Sequence, residues 1–156
     1  MVTNEIKTDS SLVAHLLRRA GFGSDYSQIQ EFTKKKYEEI VEDFLYPENF
    51  PEVEDKLISR HYPSLGANKD NQSVWNGRWF YRMINTKRPL QEKMALFWHH
   101  VLATGWTKSE HTPTMVNHIE MLRKNGLKNF RTILIELSKD PAMIYWLDNN
   151  ENHSKS

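Results

Sequence analysis

Pro89 to Thr104 reads PLQEKMALFWHHVLAT. Pro89 suits the first position of a helix, and Gly105 stops it. At about 100° per residue, Leu90, Met94, Phe97, Trp98, Val101 and Leu102 spread over one broad face. Glu92, Ala95, Leu96, His99 and Ala103 occupy the far side. A helix apolar on nearly all sides is expected to be wrapped by its neighbours. Glu92 and His99 share a stripe two turns apart, about 10 Å along the axis at 1.5 Å per residue. That is too far for a direct bond, but right for facing a common cavity or sharing a ligand or water chain.

Outward from this segment, Gly, Pro and Asn separate further helical stretches. The pattern predicts a first helix from Ser11 to Ala20, capped by Asp9 or Ser10 and ended at Gly21. Ser24 is placed to cap a second helix, and a third carries Tyr37, Ile40, Val41, Phe44 and Leu45. Val74 to Asn85 holds Trp75, Trp79 and Met83 at i, i+4, i+8. Thr112 to Asn125, Phe130 to Ser138 behind Asn129, and Pro141 to Leu147 behind Asp140 complete the series. Period-two alternation is absent. The reading is an all-α, irregular multi-helix bundle around a buried central helix at residues 89–104. It forms a single helical domain over residues 1–156, with an irregular loop region at 47–71 and a short helix within residues 53–60.

Composition narrows the function classes. The 156 residues carry 21 Lys and Arg against 20 Asp and Glu, a net charge of +1. That balance gives no electrostatic case for nucleic acid or an anionic membrane. With no cysteine, disulfides, thiol nucleophiles and thiolate metal sites drop out. The longest uncharged apolar stretch, Met94 to Thr107, is too short to span a bilayer. The first residues lack the apolar run of a signal peptide, so the expected compartment is the cytoplasm. Asp148, Asn150 and Asn152 imitate the opening of a calcium loop, but His153 stands where that loop needs Gly.

Four groups of residues carry candidate chemistry. Glu92 and His99 are the candidate acid–base pair, because burial moves both pKa values toward working pH. Packed structural histidines are the alternative account of His99 and His100. Adjacent imidazoles point about 100° apart and the His-Glu-x-x-His pattern is absent, so no metal site is expected. His15, Arg18 and Arg19 share one face of the first helix and form a candidate anion site, opposite Val13 and Leu17. Trp75 and Trp79, with Arg78 and Arg82, offer stacking surfaces for a ligand, with core packing as the alternative. His118, among Met115, Ile119 and Leu122, reads as a core histidine. His111, just before Thr112, is a weaker site candidate. The expected arrangement is a polar interior lined by His15, Arg18, Arg19, Glu92 and His99. An acid–base enzyme of hydrolase type and a non-catalytic binding module are the two activities weighed. No cofactor is identified by any motif.

Three segments carry a resemblance. They are His15-Leu16-Leu17-Arg18-Arg19-Ala20-Gly21-Phe22-Gly23, then Arg88-Pro89-Leu90-Gln91-Glu92-Lys93-Met94-Ala95-Leu96-Phe97-Trp98-His99-His100. The third is Asn129-Phe130-Arg131-Thr132-Ile133-Leu134 with Asp140-Pro141-Ala142-Met143 and Trp146-Leu147-Asp148-Asn149. Together they resemble the N-terminal part of the bacterial domain-of-unknown-function-1800 family. The resemblance implies a helical protein whose biochemical role is not established. It implies two partners: a C-terminal continuation of the same domain bearing an acidic, amide-rich helix, and a sulfatase-like protein. It also implies export in some members, and it makes this chain an N-terminal portion.

Overall fold

A computed structural model describes residues 8–54, 56, 59–60, 63, 70–102 and 104–152. Among them there are nine α-helices, two 3₁₀ turns and no strand. The protein is all-α. The helices are α1 (Ser10–Ala20), α2 (Tyr26–Phe32), α3 (Tyr37–Leu45), α4 (Gln72–Asn85) and α5 (Pro89–Val101). They continue as α6 (Trp106–Ser109), α7 (Thr112–Asn125), α8 (Phe130–Ser138) and α9 (Pro141–Trp146). Among the described residues no helix is long and apolar enough to cross a membrane. The expected loop at 47–71 opens with a 3₁₀ turn at Pro47–Asn49. Residues 55, 57, 58, 61, 62 and 64–69 of that region, three of them within the helix expected at 53–60, lie outside the described residues.

Capping chemistry sets the helix starts. Asp9 accepts from the Ser11 amide at 2.8 Å, and Asn129 accepts from the Thr132 amide at 2.9 Å. Asp140 accepts from the Ala142 amide at 2.8 Å. Each satisfies a donor that the first helical turn leaves without a carbonyl. One expectation is corrected. Asp25, not Ser24, caps α2 through the Gln28 amide. His111 caps α7, its Nδ1 accepting from the Thr114 amide, so its place before Thr112 serves the helix start.

The chain divides into two compact units. The first comprises Met1–Val53 and Met83–Lys93. Its core is Val13, Leu17, Ala20, Ile40 and Phe44, with Leu16, Ile29, Phe32 and Leu90 packed against it. Phe32 stacks on Phe44 with ring centroids 6.4 Å apart. A Cβ on Gly21 would sit 3.3 Å from Pro89 Cβ, so glycine there permits close approach of the α5 start. Lys93 Nζ donates to the Arg18 carbonyl at 2.6 Å and to that of Gly21, closing the end of α1.

The second unit comprises Glu54–Arg82 and Met94–Ser156. Ala95, Leu122 and Ile133 form its core, with Trp79, Trp98, Leu102 and Met121 against it. Trp98 Nε1 donates to the Gly126 carbonyl at 2.9 Å, and its ring stacks on Phe130 at 5.6 Å.

Helix α5 departs from its expected form in two ways. It ends at Val101 rather than Thr104. It is also not wrapped all round: Glu92 and Ala95 are buried, while Leu96, Phe97 and Val101 are 40%, 48% and 51% exposed. The inward stripe runs through Glu92, Ala95 and His99, with Trp98 and Leu102 packing at its edge against the core. Ala95 sits at its centre, and a methyl side chain there lets Leu122 and Ile133 approach the helix closely.

Candidate functional site

The candidate site is a cleft of about 230 Å³ in the second unit. Trp75, Arg78, Trp79 and Arg82 come from α4, His99 from α5, Trp106 from α6, and Glu120 and Arg123 from α7. Spacing explains the α4 contribution: residues three and four apart share a helix face, so 75, 78, 79 and 82 point the same way. All four side chains are half-buried. The Arg78 guanidinium lies 4.8 Å from the Trp75 ring centroid and donates to Ser59 Oγ at 2.6 Å. Trp106 Nε1 donates to Thr112 Oγ1 at 3.1 Å, and Thr112 donates on to the Asp70 carbonyl at 2.7 Å. These bonds fix the indole at the rim.

His99 is the titratable imidazole of the cleft. Its ring meets Trp79 edge-on at 5.8 Å and His118 edge-on at 5.4 Å. Burial first, and then the charges of His118 and His100, hold its pKa below the ordinary histidine value. The imidazole is therefore neutral at pH 7, with a lone pair available. Its Nδ1 is buried and finds no hydrogen-bond partner among the described residues.

Behind His99 stands a pair on α7 and the α9 cap. His118 is 0% exposed, and its Nδ1 bonds Asp140 Oδ2. The other ring nitrogen, Nε2, is buried with no hydrogen-bond partner among the described residues. The local sequence places both members. His118 falls on the apolar stripe of α7 with Met115 and Leu122, all buried, and Asp140 is held at the α9 start by its capping bond. His118 is thus the core histidine its neighbours indicate, but one with an ionisable partner. Sequence reasoning missed Asp140 as the partner of His118, because an Asp-Pro helix start already accounts for an aspartate. Its 22-residue separation from His118 leaves no local signal. A buried histidine with one polar neighbour to find was the signal that was there.

The other candidates fall elsewhere. His15, Arg18 and Arg19 are all exposed, which corrects the expected polar interior. An amphipathic helix buries one face, and α1 spends that face on Val13, Leu17 and Ala20. Glu92 is buried, 2% exposed, within the first unit and does not line the cleft. Trp75 and Trp79 do line it, together with His99. Among the described residues, no group of three or more His, Asp or Glu is placed to hold a metal ion.

No curated protein and no solved structure matches the chain. The family model described as "Protein of unknown function (DUF1800)" matches residues 15–156. That span contains α5, the cleft and the His118–Asp140 pair, and the chain belongs to this family.

Proposed function

We propose that the cleft is an acid–base site for a small anionic ligand, with His99 as the proton carrier and Trp75 and Trp79 as the ligand's stacking surfaces. One observation carries the reading: a neutral imidazole, kept so by burial, faces a cleft of ligand size beside aromatic rings and guanidinium groups. Such a base takes a proton from a bound hydroxyl or water near neutral pH, as hydrolases do. Arg78 lines the cleft with its guanidinium over the Trp75 ring and its Nε without a hydrogen-bond partner among the described residues, which suits an anion. Arg123 is ion-paired to Glu120.

The test is tryptophan fluorescence of the whole protein, titrated with phosphate, acetate, benzoate and a nucleoside monophosphate. Saturable quenching that weakens at least tenfold in Arg78→Ala supports the site. Emission unchanged by all four anions removes it. His15, Arg18, Arg19 and Glu92 have no part in this reading.

A second reading, protein docking, is favoured by one observation. Leu96, Phe97, Val101 and Phe130 stand exposed in the second unit, where an apolar surface gains by being covered. Its candidates are the C-terminal continuation and the sulfatase-like protein that the family resemblance implies. Co-expression with each, and loss of co-purification in a Phe97→Asp/Val101→Asp variant, tests it.

A further inference from the structure

Two polar atoms on residues of the cleft are buried without a hydrogen-bond partner among the described residues: Arg78 Nε, from α4, and His99 Nδ1, from α5. A buried polar atom left so is costly, and a bound molecule supplies the missing bond. The Arg78 guanidinium is held over the Trp75 ring and by its Nη2 bond to Ser59. Its Nε–H only donates, and a carboxylate oxygen is the acceptor that suits a cation best. The His99 ring is neutral, held so by burial, and Nδ1 of a neutral imidazole accepts or donates according to the tautomer. A hydroxyl answers both cases, because it donates and accepts; an ammonium or a second carboxylate answers only one. Trp79, next to Arg78 on α4, meets the His99 ring edge-on at 5.8 Å, which keeps the two unpaired atoms in one neighbourhood.

Size and charge narrow the molecule further. The cleft's volume of about 230 Å³ lies between the roughly 150 Å³ that admits a benzene ring and the roughly 300 Å³ at which sites for drug-sized ligands begin. Met115, Val116 and Ile119 of α7 give it an apolar wall. Glu120 also lines it and already answers Arg123, so its carboxylate opposes a ligand with a second negative charge. We propose, resting on the cleft as an anion site with His99 as its base, that the ligand is a hydroxy monocarboxylate with an apolar body of one ring's size, its carboxylate on Arg78 Nε and its hydroxyl on His99 Nδ1. The apolar body lies against the α7 wall. A molecule of the same size that lacks either polar group leaves one of the two atoms unpaired, and a site built in this way rejects it.

The test is isothermal titration calorimetry of the whole protein with mandelate and 3-hydroxy-3-phenylpropanoate, each against its counterpart without the hydroxyl, phenylacetate and 3-phenylpropanoate. Benzyl alcohol and phenyl phosphate complete the set. At least one hydroxy acid should bind at least tenfold more tightly than its counterpart and than either of the last two. That preference should disappear in His99→Phe, which keeps a ring against Trp79, and the affinity for both hydroxy acids should fall at least tenfold in Arg78→Gln. Equal affinities within both acid pairs in the native protein overturn the proposal even if neither variant folds, and so does tighter binding of phenyl phosphate. A hydroxyl preference that survives in folded His99→Phe, or an acid affinity unchanged in folded Arg78→Gln, overturns it too. Binding of phosphate or a nucleoside monophosphate without binding of the hydroxy acids sinks the hydroxy-acid class and leaves the anion cleft standing; silence towards every anion sinks both.

Discussion

At the scale of single residues, His99 ties stability to pH. Its folded pKa is held below the ordinary histidine value of 6.5, chiefly by burial, so as pH falls through 6.5 the unfolded chain binds more protons than the folded one. Stability must then fall as pH drops through 6.5 and level off below the folded value. His99→Gln removes this part of the slope. Urea denaturation at pH 7.5 and 5.0 should show a smaller loss for the variant than for the native protein. An equal loss would mean that His99 is not held neutral. Gly105 gives a second prediction. A Cβ there would lie 2.9 Å from Trp146 Cζ3 and 3.0 Å from Cη2. Gly105→Ala must push the indole off its seat and should cost about 1–3 kcal/mol, the usual range for overpacking. Thermal melts with near-ultraviolet circular dichroism would register both the cost and the moved ring.

Among the elements, α5 offers the sharpest contrast. Ala95 is 0% exposed and Val101 51%. Ala95→Leu should therefore destabilise by about 1–3 kcal/mol, while Val101→Ser should change stability by no more than about 0.5 kcal/mol. Equal effects would mean that the helix turns a different side inward. This is also where sequence reading reached its limit. The ends of α1, α7 and α8 were legible because Gly21, Pro113 and Asn129 act locally, through caps and breaks whose chemistry sits within a few residues. Which side of α5 is buried was not, because periodicity discriminates only when one side is polar, and here both sides are apolar. The decision fell to close packing around Ala95, a property of the partners. Half the candidate site was legible for the same reason. Trp75, Trp79 and His99 announce themselves by residue type and spacing. The His118–Asp140 pair joins two helices 22 residues apart, and no local pattern encodes that meeting.

Over the whole molecule, the order of segments along the chain makes its own prediction. The first unit draws on two separated stretches, Met1–Val53 and Met83–Lys93. The second stretch is not decoration. Leu90 packs on the core of Val13, Leu17, Ala20, Ile40 and Phe44. Arg88 donates from Nε to the Phe50 carbonyl at 2.7 Å and pairs through Nη1 with Glu52 at 2.7 Å. Lys93 accounts for carbonyls at the end of α1, and its lowered pKa, caused first by burial and then by Arg19, marks a cation drawn out of water to do so. A fragment of residues 1–53 lacks all of these. It leaves the Leu90 seat open and the last carbonyls of α1 without Lys93, and a chain of that size has little core to lose. The fragment should show weak helicity and no cooperative melt, and adding a peptide of residues 83–93 in excess should raise both. Within the intact chain, Leu90→Ala should cost about 2–5 kcal/mol and accelerate hydrogen exchange of the α1 and α3 amides before those of α7 and α8. A fragment of 1–53 that folds cooperatively alone would show that the second stretch is dispensable, and that the first unit is built from its N-terminal helices only.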